Sequence, residues 1–368
     1  MRQLLNFIRN TLGLLHSLCI MALLFSASAA FIPPSAFWPV SFAGLLFFPL
    51  YVLNLTLLPI WIWRKKWFAL IPLLAALLTS PLFPRSWQWP ANTRETGKVK
   101  LMNWNVKLFD LYEWSGDSET RARMFALIQI ENPDILCLQE FFNRPGREDF
   151  LNYIRDTLGY PHACFQPAVQ KEYTRGGKKW VAEYGVAIFS RYPITRCGAF
   201  PLAHRKYANC TFADIQAGNQ TARIFTTHLQ SVHLDDLDYA HLEDLEQRQS
   251  MHWMHIGAIL RKLKRAWIYR ETQTQQVKNA IDSTSGPVIL CGDFNDVPVS
   301  HTYHELAAGM QDAFVAAGGD LGATLFGKFS LFRIDYALLS EHFQVRSCRV
   351  VREKLSDHYP VVVTFDWK

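Results

Sequence analysis

The sequence predicts an α/β domain of two packed sheets with helices outside them, preceded by helices that cross a membrane. Short apolar runs alternate with amphipathic stretches from Lys98 onward, the first third of the chain is apolar almost without interruption, and the charge divides at the same place. A chain of 368 residues also exceeds the usual single-domain length, so two units are expected. Met1 to Lys100 holds nine Lys/Arg against the single acid Glu95, and the remainder carries 29 bases and 31 acids. The net charge of +6 therefore belongs to the N-terminal third. A near-neutral remainder argues against a broad electrostatic grip on nucleic acid, which rests on many Lys and Arg contacts to phosphate; a local basic groove stays open.

Thr11 to Ile32, Ser35 to Trp63 and Trp67 to Phe83 contain no Asp, Glu, Lys or Arg. Each is near the length needed to cross a bilayer, the third being shortest. Buried helices of a soluble protein are the alternative. Three such runs separated only by Pro33-Pro34 and Arg64-Lys65-Lys66 disfavour it. The positive-inside bias holds Arg2, Arg9 and the Arg64 to Lys66 loop in the cytoplasm, so the third helix exits on the far side. Arg85, Arg94, Lys98 and Lys100 follow that helix closely and weigh against this orientation. In a rival reading, Met1 to about Ala30 is a cleaved signal peptide with its small-residue site at Ser26 to Ala30, which leaves the domain on the same outer face. The expected division is a membrane anchor of three transmembrane helices at 1–84, a linker at 85–97 and the folded domain at 98–368. The anchor places the protein as a multi-pass component of the cytoplasmic (inner) membrane, with the domain on the extracytoplasmic side.

Within the domain, VKLMNWNVKLF from Val99 is the first strand, Glu119 to Ile130 a helix ended by Asn132-Pro133, and DILCLQE from Asp134 the next strand. YGVAIFSR, ANCTFADIQA, TARIFTTHL, PVILCGDFN, RIDYALLS and YPVVVTF follow as strands, and Tyr239 to Asp282 reads as a long helical excursion. No internal repeat is present. The seven cysteines show no zinc-ligand spacing; Cys137 and Cys291 read as small core residues, and a disulfide among the others stays open.

Almost every strong strand carries a carboxylate, amide or imidazole at or near one end: Asn105, Glu140, His228, Asp293 with Asn295, Asp335, and Asp357 with His358. An unpaired buried polar group costs roughly 1–3 kcal/mol, so such residues at strand ends need partners, and six coincident ends indicate a shared cleft. Asp293 and Asn295 project to one face of an extended chain while Phe294 points into packing; alone, that spacing proves little and is better explained by a turn or cap. Asn103 and Asn105 share the same spacing, so either reaches the cleft. Glu140 is a hard oxygen ligand of the kind Mg²⁺ prefers, or a solvated charge. Asp335 suits the task of fixing one tautomer of an imidazole, or pairs with Arg333. Asp357-His358 serves as an acid beside a base, or Asp357 only caps a turn before Pro360. His228 is a phosphate or leaving-oxygen contact, or an ordinary hydrogen-bonded histidine. His233, His241, His252 and His255 lie in or near the helical excursion and are assigned nothing.

The ordered series WNV, LCLQE, YGVAIFSRYPI, TTHLQS, CGDFND, RIDYALLS and SDHYPVVV closely resembles the endonuclease/exonuclease/phosphatase superfamily, over nearly all of Leu101 to Phe365. The resemblance implies a four-layer α/β sandwich with two central β-sheets, and Mg²⁺-dependent in-line attack of water on phosphorus, with Mn²⁺ a possible substitute. It implies Asn105, Glu140 and Asp357 on the metal side, Asp293 orienting or deprotonating water, Asn295 steadying the phosphate, and Asp335 orienting His358. His358 would then be the principal acid/base or phosphate-contacting imidazole, with His228 near the leaving oxygen. Some nuclease branches place an acid two residues after the strand-one Asn, where this chain has Lys107, which puts an abasic-site endonuclease assignment in doubt. The TTHLQS motif looks more like sphingomyelinase-type members.

The implied partners are the membrane and a phosphoester substrate, whether lipid headgroup, nucleotide or nucleic acid, with no obligate protein partner. Tyr173, Arg175, Lys178, Lys179 and Trp180 form a basic-aromatic loop that meets phosphate or headgroup, or is a solvated turn on Gly176-Gly177. A catalytically silent binding module on a membrane stalk is the rival reading. A transporter is disfavoured because the apolar runs carry no ionisable side chain of functional promise except His16, which is expected near a membrane end.

Overall fold

The structure, a computed structural model, describes all residues except 1, 65, 90–96, 176, 205–208, 233–252 and 328–329. The chain divides into two compact units: Met1–Trp87 with Val232–Glu271 and Val297–His304, and Gln88–Ser231 with Thr272–Asp296 and Glu305–Lys368.

The second unit holds two mixed sheets. One has the order β12 (Phe343–Val350), β13 (Val361–Trp367), β1 (Val99–Asn105), β2 (Ile135–Asn143), β5 (Lys178–Ser190), β3 (His162–Phe165), with β4 (Val169–Arg175) paired to β5 as a hairpin. The other runs β10 (Gln311–Asp312), β11 (Asp335–Leu339), β9 (Val288–Asp293), β8 (Gln220–His228), β7 (Asn209–Ala217), β6 (Ile194–Pro201). Parallel pairing occurs at the centre of each sheet, β1 with β2 and β8 with β9. Parallel neighbours cannot be joined by a tight turn and need a crossover. The helix Thr120–Glu131 lies between β1 and β2 in sequence, and the helix Trp253–Asp282 between β8 and β9.

Alternation along the strands builds the layers. Leu101, Ile135, Cys137 and Ile188 of the first sheet share a buried core with Ile224, Ile289, Cys291 and Ala337 of the second. Met102, Trp104, Leu136 and Leu138, on the other face of the first sheet, pack with Met124, Leu127 and Ile128 of the helix Thr120–Glu131. The part of Trp253–Asp282 that belongs to this unit is tied down by Gln273, which donates to the Ala203 carbonyl (2.8 Å) and accepts from the Gln230 amide (2.8 Å).

The predicted strands are present, with β1 ending at Asn105 rather than running on to Phe109. β3, β4, β6, β10 and β12 are additional, short or strongly polar strands whose pairing comes from neighbours rather than from their own pattern. β3 and β6 are edge strands of different sheets, and a Cys164–Cys197 disulfide joins them; the other five cysteines are free and buried, Cys137 and Cys291 in the core as expected.

In the first unit, the run from Ser35 is not one helix. It breaks into Pro34–Phe37, Pro39–Gly44, Phe47–Thr56 and Pro59–Arg64, because proline lacks the amide proton and clashes with the preceding turn, so helices restart at it. Among the described residues, two helical stretches are long and apolar enough to cross a membrane, Gln3–Ala30 (28 residues) and Trp67–Ser86 (20 residues); Phe47–Trp61 is shorter. The expected middle span is thus interrupted. His16 lies midway along Arg2–Ala27, not near its end, and is fully buried. Its Nε2 pairs with Asn54 Oδ1 (3.1 Å), its Nδ1 accepts from Trp61 Nε1 (2.6 Å), and Asn54 Nδ2 donates to the Pro72 carbonyl (3.1 Å). A fully partnered polar cluster of this kind is structural. Part of the expected linker, 90–96, falls outside the described residues, as do 239–252 of the helical excursion with His241 and His252, and His233 before it.

At the end of the helix Thr120–Glu131, Glu131 pairs with Lys100 of β1 (3.1 Å) and with Arg349 of β12. Burial raises its carboxyl pKa, but the two cations outweigh this and hold it below the ordinary value. A depressed carboxyl stabilises the fold above its unfolded pKa, about 4.3, and that contribution is lost as pH falls through the folded value. Because both partners are partly exposed, Glu131→Gln is expected to cost about 1 kcal/mol at pH 7. Urea unfolding at pH 7 and at successively lower pH below about 4.3 checks this: the gap between the variant and the parent chain narrows as the pH falls.

Candidate active site

The central strands of both sheets end at one rim. On the second sheet, parallel register sets His228 beside Asp293, and antiparallel register sets Asp293 beside Asp335, so three polar side chains stand at equal rank on adjacent strands. Gly292 makes this possible. Its φ is +150°, and a Cβ there would meet the Thr227 carbonyl oxygen at 2.1 Å, so only glycine lets β9 lie this close to β8. On the first sheet Asn105 ends β1, and Glu140 sits where the β2–β5 register shifts, with φ 48°. This bulge, with β2 continuing to Asn143, re-aims the Glu140 side chain.

Asn105 joins the two sheets: its Nδ2 lies 3.3 Å from Glu140 Oε1 and 3.1 Å from Asp293 Oδ2. His228 Nε2 is 3.4 Å from Asp293 Oδ2 and 3.8 Å from Glu140 Oε1. His358 Nδ1 is bonded to Asp335 Oδ2 at 2.9 Å, which fixes the proton on Nδ1 and turns Nε2 toward Asp293 Oδ2, 3.7 Å away. Asp293 Oδ1 accepts the Asn295 amide (2.8 Å), while the Asn295 side chain donates to the Leu229 carbonyl (3.1 Å). Asn295 holds φ 53°, a second left-handed residue at the rim.

The electrostatics follow from burial. Asp293 and Asp335 are each 1% exposed. Burial pushes the Asp293 carboxyl up to about 7, with the Asp335 charge adding to the rise while His358 and the Asn105 and Asn295 N–H groups oppose it. Burial disfavours the His358 imidazolium, yet the charges of Asp335 and Asp293 outweigh it and push its pKa up to about 10. Asp357 is held low: burial raises its pKa, and His358 and Lys107 more than offset this.

The residues read from the sequence thus converge, with differences in detail. Asn105 reaches the rim, whereas Asn103 lies between the sheets, accepting from Gln139 Nε2 (2.7 Å), which also donates to Thr226 (2.8 Å). Arg333 does not pair with Asp335; it binds Asp312 (2.9 Å), both side chains buried, with its guanidinium over Phe314 and Tyr336. Asp357 lies at the rim with its carboxylate against Lys107 (2.9 Å). Of the basic-aromatic group, Tyr173 lies opposite Trp180 and Arg175 opposite Lys178 on the β4–β5 hairpin. Three supporting residues carried no signal of their own. The Thr324 hydroxyl accepts the Ile334 and Asp335 amides (3.0 and 3.1 Å), Trp104 Nε1 donates to the His358 carbonyl (2.9 Å), and the Ser356 hydroxyl donates to the Asn105 carbonyl (2.8 Å).

A divalent cation fits this donor set. Asp293, Asp335 and His358 offer ligand atoms within 4.8 Å of one another, Glu140 adds a hard oxygen at the rim, and buried Asp335 Oδ1 has no hydrogen-bond partner among the described residues.

The model of the Endonuclease/Exonuclease/phosphatase family matches residues 102–358, and that of a domain of unknown function (DUF8431) matches residues 9–86. No curated protein matches. Among solved structures, an endonuclease/exonuclease/phosphatase from Beutenbergia cavernae is 19% identical, covering 73% of this chain and 71% of its own, with a TM-score of 0.53. The human nocturnin catalytic domain with bound sulfate is 19% identical over 73% of this chain and 94% of its own, with a TM-score of 0.48. For the mannosyl-6-phosphatase of Bacteroides thetaiotaomicron the figures are 18%, 73%, 99% and 0.47. The first of these supports the two-sheet fold. With the family model reaching from β1 through His358, the chain belongs to the Endonuclease/Exonuclease/phosphatase family, whose chemistry is phosphoester hydrolysis.

Proposed function

We propose that the chain is a divalent-metal-dependent phosphoester hydrolase, anchored in the cytoplasmic membrane as a multi-pass protein with its catalytic domain, residues 98–368, on the extracytoplasmic side. The observation that carries the hydrolase reading is Asp293 set against Asn105, His228 and His358, with Asp335 behind His358. Glu140 would hold Mg²⁺, or Mn²⁺ in its place, with Asp357 on the same side and Asn105 joining only with its Oδ1 turned from the Lys107 amide to the ion. When bound, the ion supplies Lewis-acid stabilisation of charge on the phosphoryl oxygens.

Asp293 orients a water and takes its proton as the water oxygen bonds to phosphorus in line with the leaving oxygen. The buried carboxyl is suited to this, because burial makes it a stronger base than an exposed aspartate. The bond to the leaving oxygen breaks, and His228, beside Glu140 and Asp293, gives that oxygen its proton. His358, held in one tautomer by Asp335, contacts the phosphate through Nε2 and offsets charge developing there. Asn295 steadies the same phosphate. Lipid headgroup, nucleotide and nucleic acid substrates all present this group.

Two features support the location. Most of the exposed large apolar side chains among the described residues belong to Leu4 to Leu78, Phe7 and Leu77 each being 69% exposed, a surface that suits lipid rather than water. A disulfide between β3 and β6 suits an oxidising compartment outside the cytoplasm.

The catalytic test is hydrolysis by the full chain with Mg²⁺ or Mn²⁺ across DNA, RNA, sphingomyelin, inositol phosphates and a generic diester. Asp293→Asn and His358→Gln should each lower the rate by about 10²–10⁴-fold, and a chelator should remove it. A folded, metal-supplied chain that hydrolyses nothing in the panel, or an Asp293→Asn variant at full rate, overturns the reading. The location is tested on intact cells: a membrane-impermeant reductant followed by an impermeant maleimide should label Cys197. If labelling requires lysis, the domain lies inside.

A further inference from the structure

The edge strands β3 and β6 belong to different sheets, and between them on the flank of the catalytic unit lies a groove of about 560 Å³. That size falls within the range of small-molecule sites, about 300–1,000 Å³. The groove is separate from the rim. β5 stands between β3 and β2, and β7 between β6 and β8, so two strand spacings, about 10 Å, lie between its walls and the strands that carry Glu140 and His228.

Its lining has two characters. Phe165 of β3 and Ile194 of β6 make part of it apolar, and the Cys164–Cys197 disulfide ties the two walls together, with Cys197 itself lining the groove. Arg155, His162 and Arg196 make the rest basic, and no Asp or Glu occurs among the described residues that line it. Arg155 stands on Tyr153–Thr157, a single π-helical turn closed by the Leu158 amide on the Tyr153 carbonyl (3.3 Å), a rare form of helix. The register partner of Arg196 on β7 is Asp214, but Arg223 already holds both oxygens of that carboxylate, at 2.6 and 2.7 Å. The Arg196 guanidinium lies over the Phe212 ring instead (5.7 Å), and Arg155 makes no ion pair among the described residues. A solitary surface arginine needs no partner. Two on one concave, disulfide-held groove, with an imidazole beside them and no acid in the lining, leave a positive potential that an anion would answer.

We propose that this groove is a second, non-catalytic ligand site that takes a phosphate monoester of small-molecule size, its phosphate held by Arg155 and Arg196 and its apolar body laid on Phe165 and Ile194. Guanidinium forks match phosphate oxygens two at a time, which suits a dianion better than a single charge does. His162 adds a third donor. The disulfide keeps the walls at a fixed spacing, so little ordering is left for the ligand to bring about. The site stands independently of the hydrolase reading, and the phosphate arrives either on a soluble ester or as a lipid headgroup, with the same chemistry.

The test is calorimetric titration of the purified full chain, in chelator, with phenylphosphonate, whose carbon–phosphorus bond is not a phosphoester and is not hydrolysed as one. One phenylphosphonate per chain is expected, retained in His358→Gln and weakened about tenfold in each of Arg155→Ala and Arg196→Ala, both exposed positions where truncation spares the fold. Occupancy should also slow reduction of the disulfide by an impermeant reductant about threefold, because Cys197 lines the groove. Phenyl phosphate and dihexanoylphosphatidic acid then compete with the probe, and the tighter of the two identifies the source as soluble ester or lipid headgroup. No binding, binding unchanged in either arginine variant, or binding lost in His358→Gln overturns the proposal.

Discussion

The structure depends on keeping two aspartates side by side out of water. Asp293 and Asp335 are direct register partners on β9 and β11, and both are almost wholly buried. Like charges so placed cannot both ionise unless something answers them, and leaving a buried charge unpaired costs about 3–5 kcal/mol. Here the answer is distributed. His358 stands between the two carboxylates, Asn105 and Asn295 donate to Asp293, and Thr324 fixes the backbone of Asp335. The remainder of the rim follows from that arrangement. Gly292 is needed so that β8 and β9 approach closely enough to set His228 beside Asp293, and the β2 bulge is needed so that Glu140 leaves the pleat and meets Asn105.

Much of this arrangement is legible in the sequence, because buried strands are apolar and a polar residue at the end of one is conspicuous. CGDFND shows it well: Phe294 is fully buried and stacks on Tyr336, while Asp293 reaches the rim. The same logic misplaces what depends on backbone irregularity. Nothing in WNVKLFD marks a left-handed turn, since none of its residues is glycine, and nothing in LCLQEFFN marks a bulge. Both arise from tertiary anchoring, of Phe109 in one case and of the β5 partner in the other. Pairings between distant segments are equally hidden. Arg333 shares a strand face with Asp335 in sequence, yet its partner Asp312 caps the short helix Ala313–Ala317.

In the apolar third, composition identifies the character of the segment but not its helices. The run from Ser35 has the length and hydropathy of a span, and its prolines divide it. His16 is a further example. Read alone it is an ionisable residue in an apolar helix, whereas in place it is one member of a satisfied cluster with Asn54 and Trp61.

The sheet order has a consequence for how the protein comes into being. β1, near the start of the catalytic unit, is hydrogen-bonded on one side to β2 and on the other to β13, with Val99 opposite Phe365. Closing so long a loop is entropically expensive before any contact repays it, so this pairing is slow and late. His358 enters the chain immediately before β13, and Trp104 fixes its backbone only once that strand is seated. A sheet in which β13 is not paired with β1 therefore leaves His358 without its seat, and the rim is incomplete until the two strands meet.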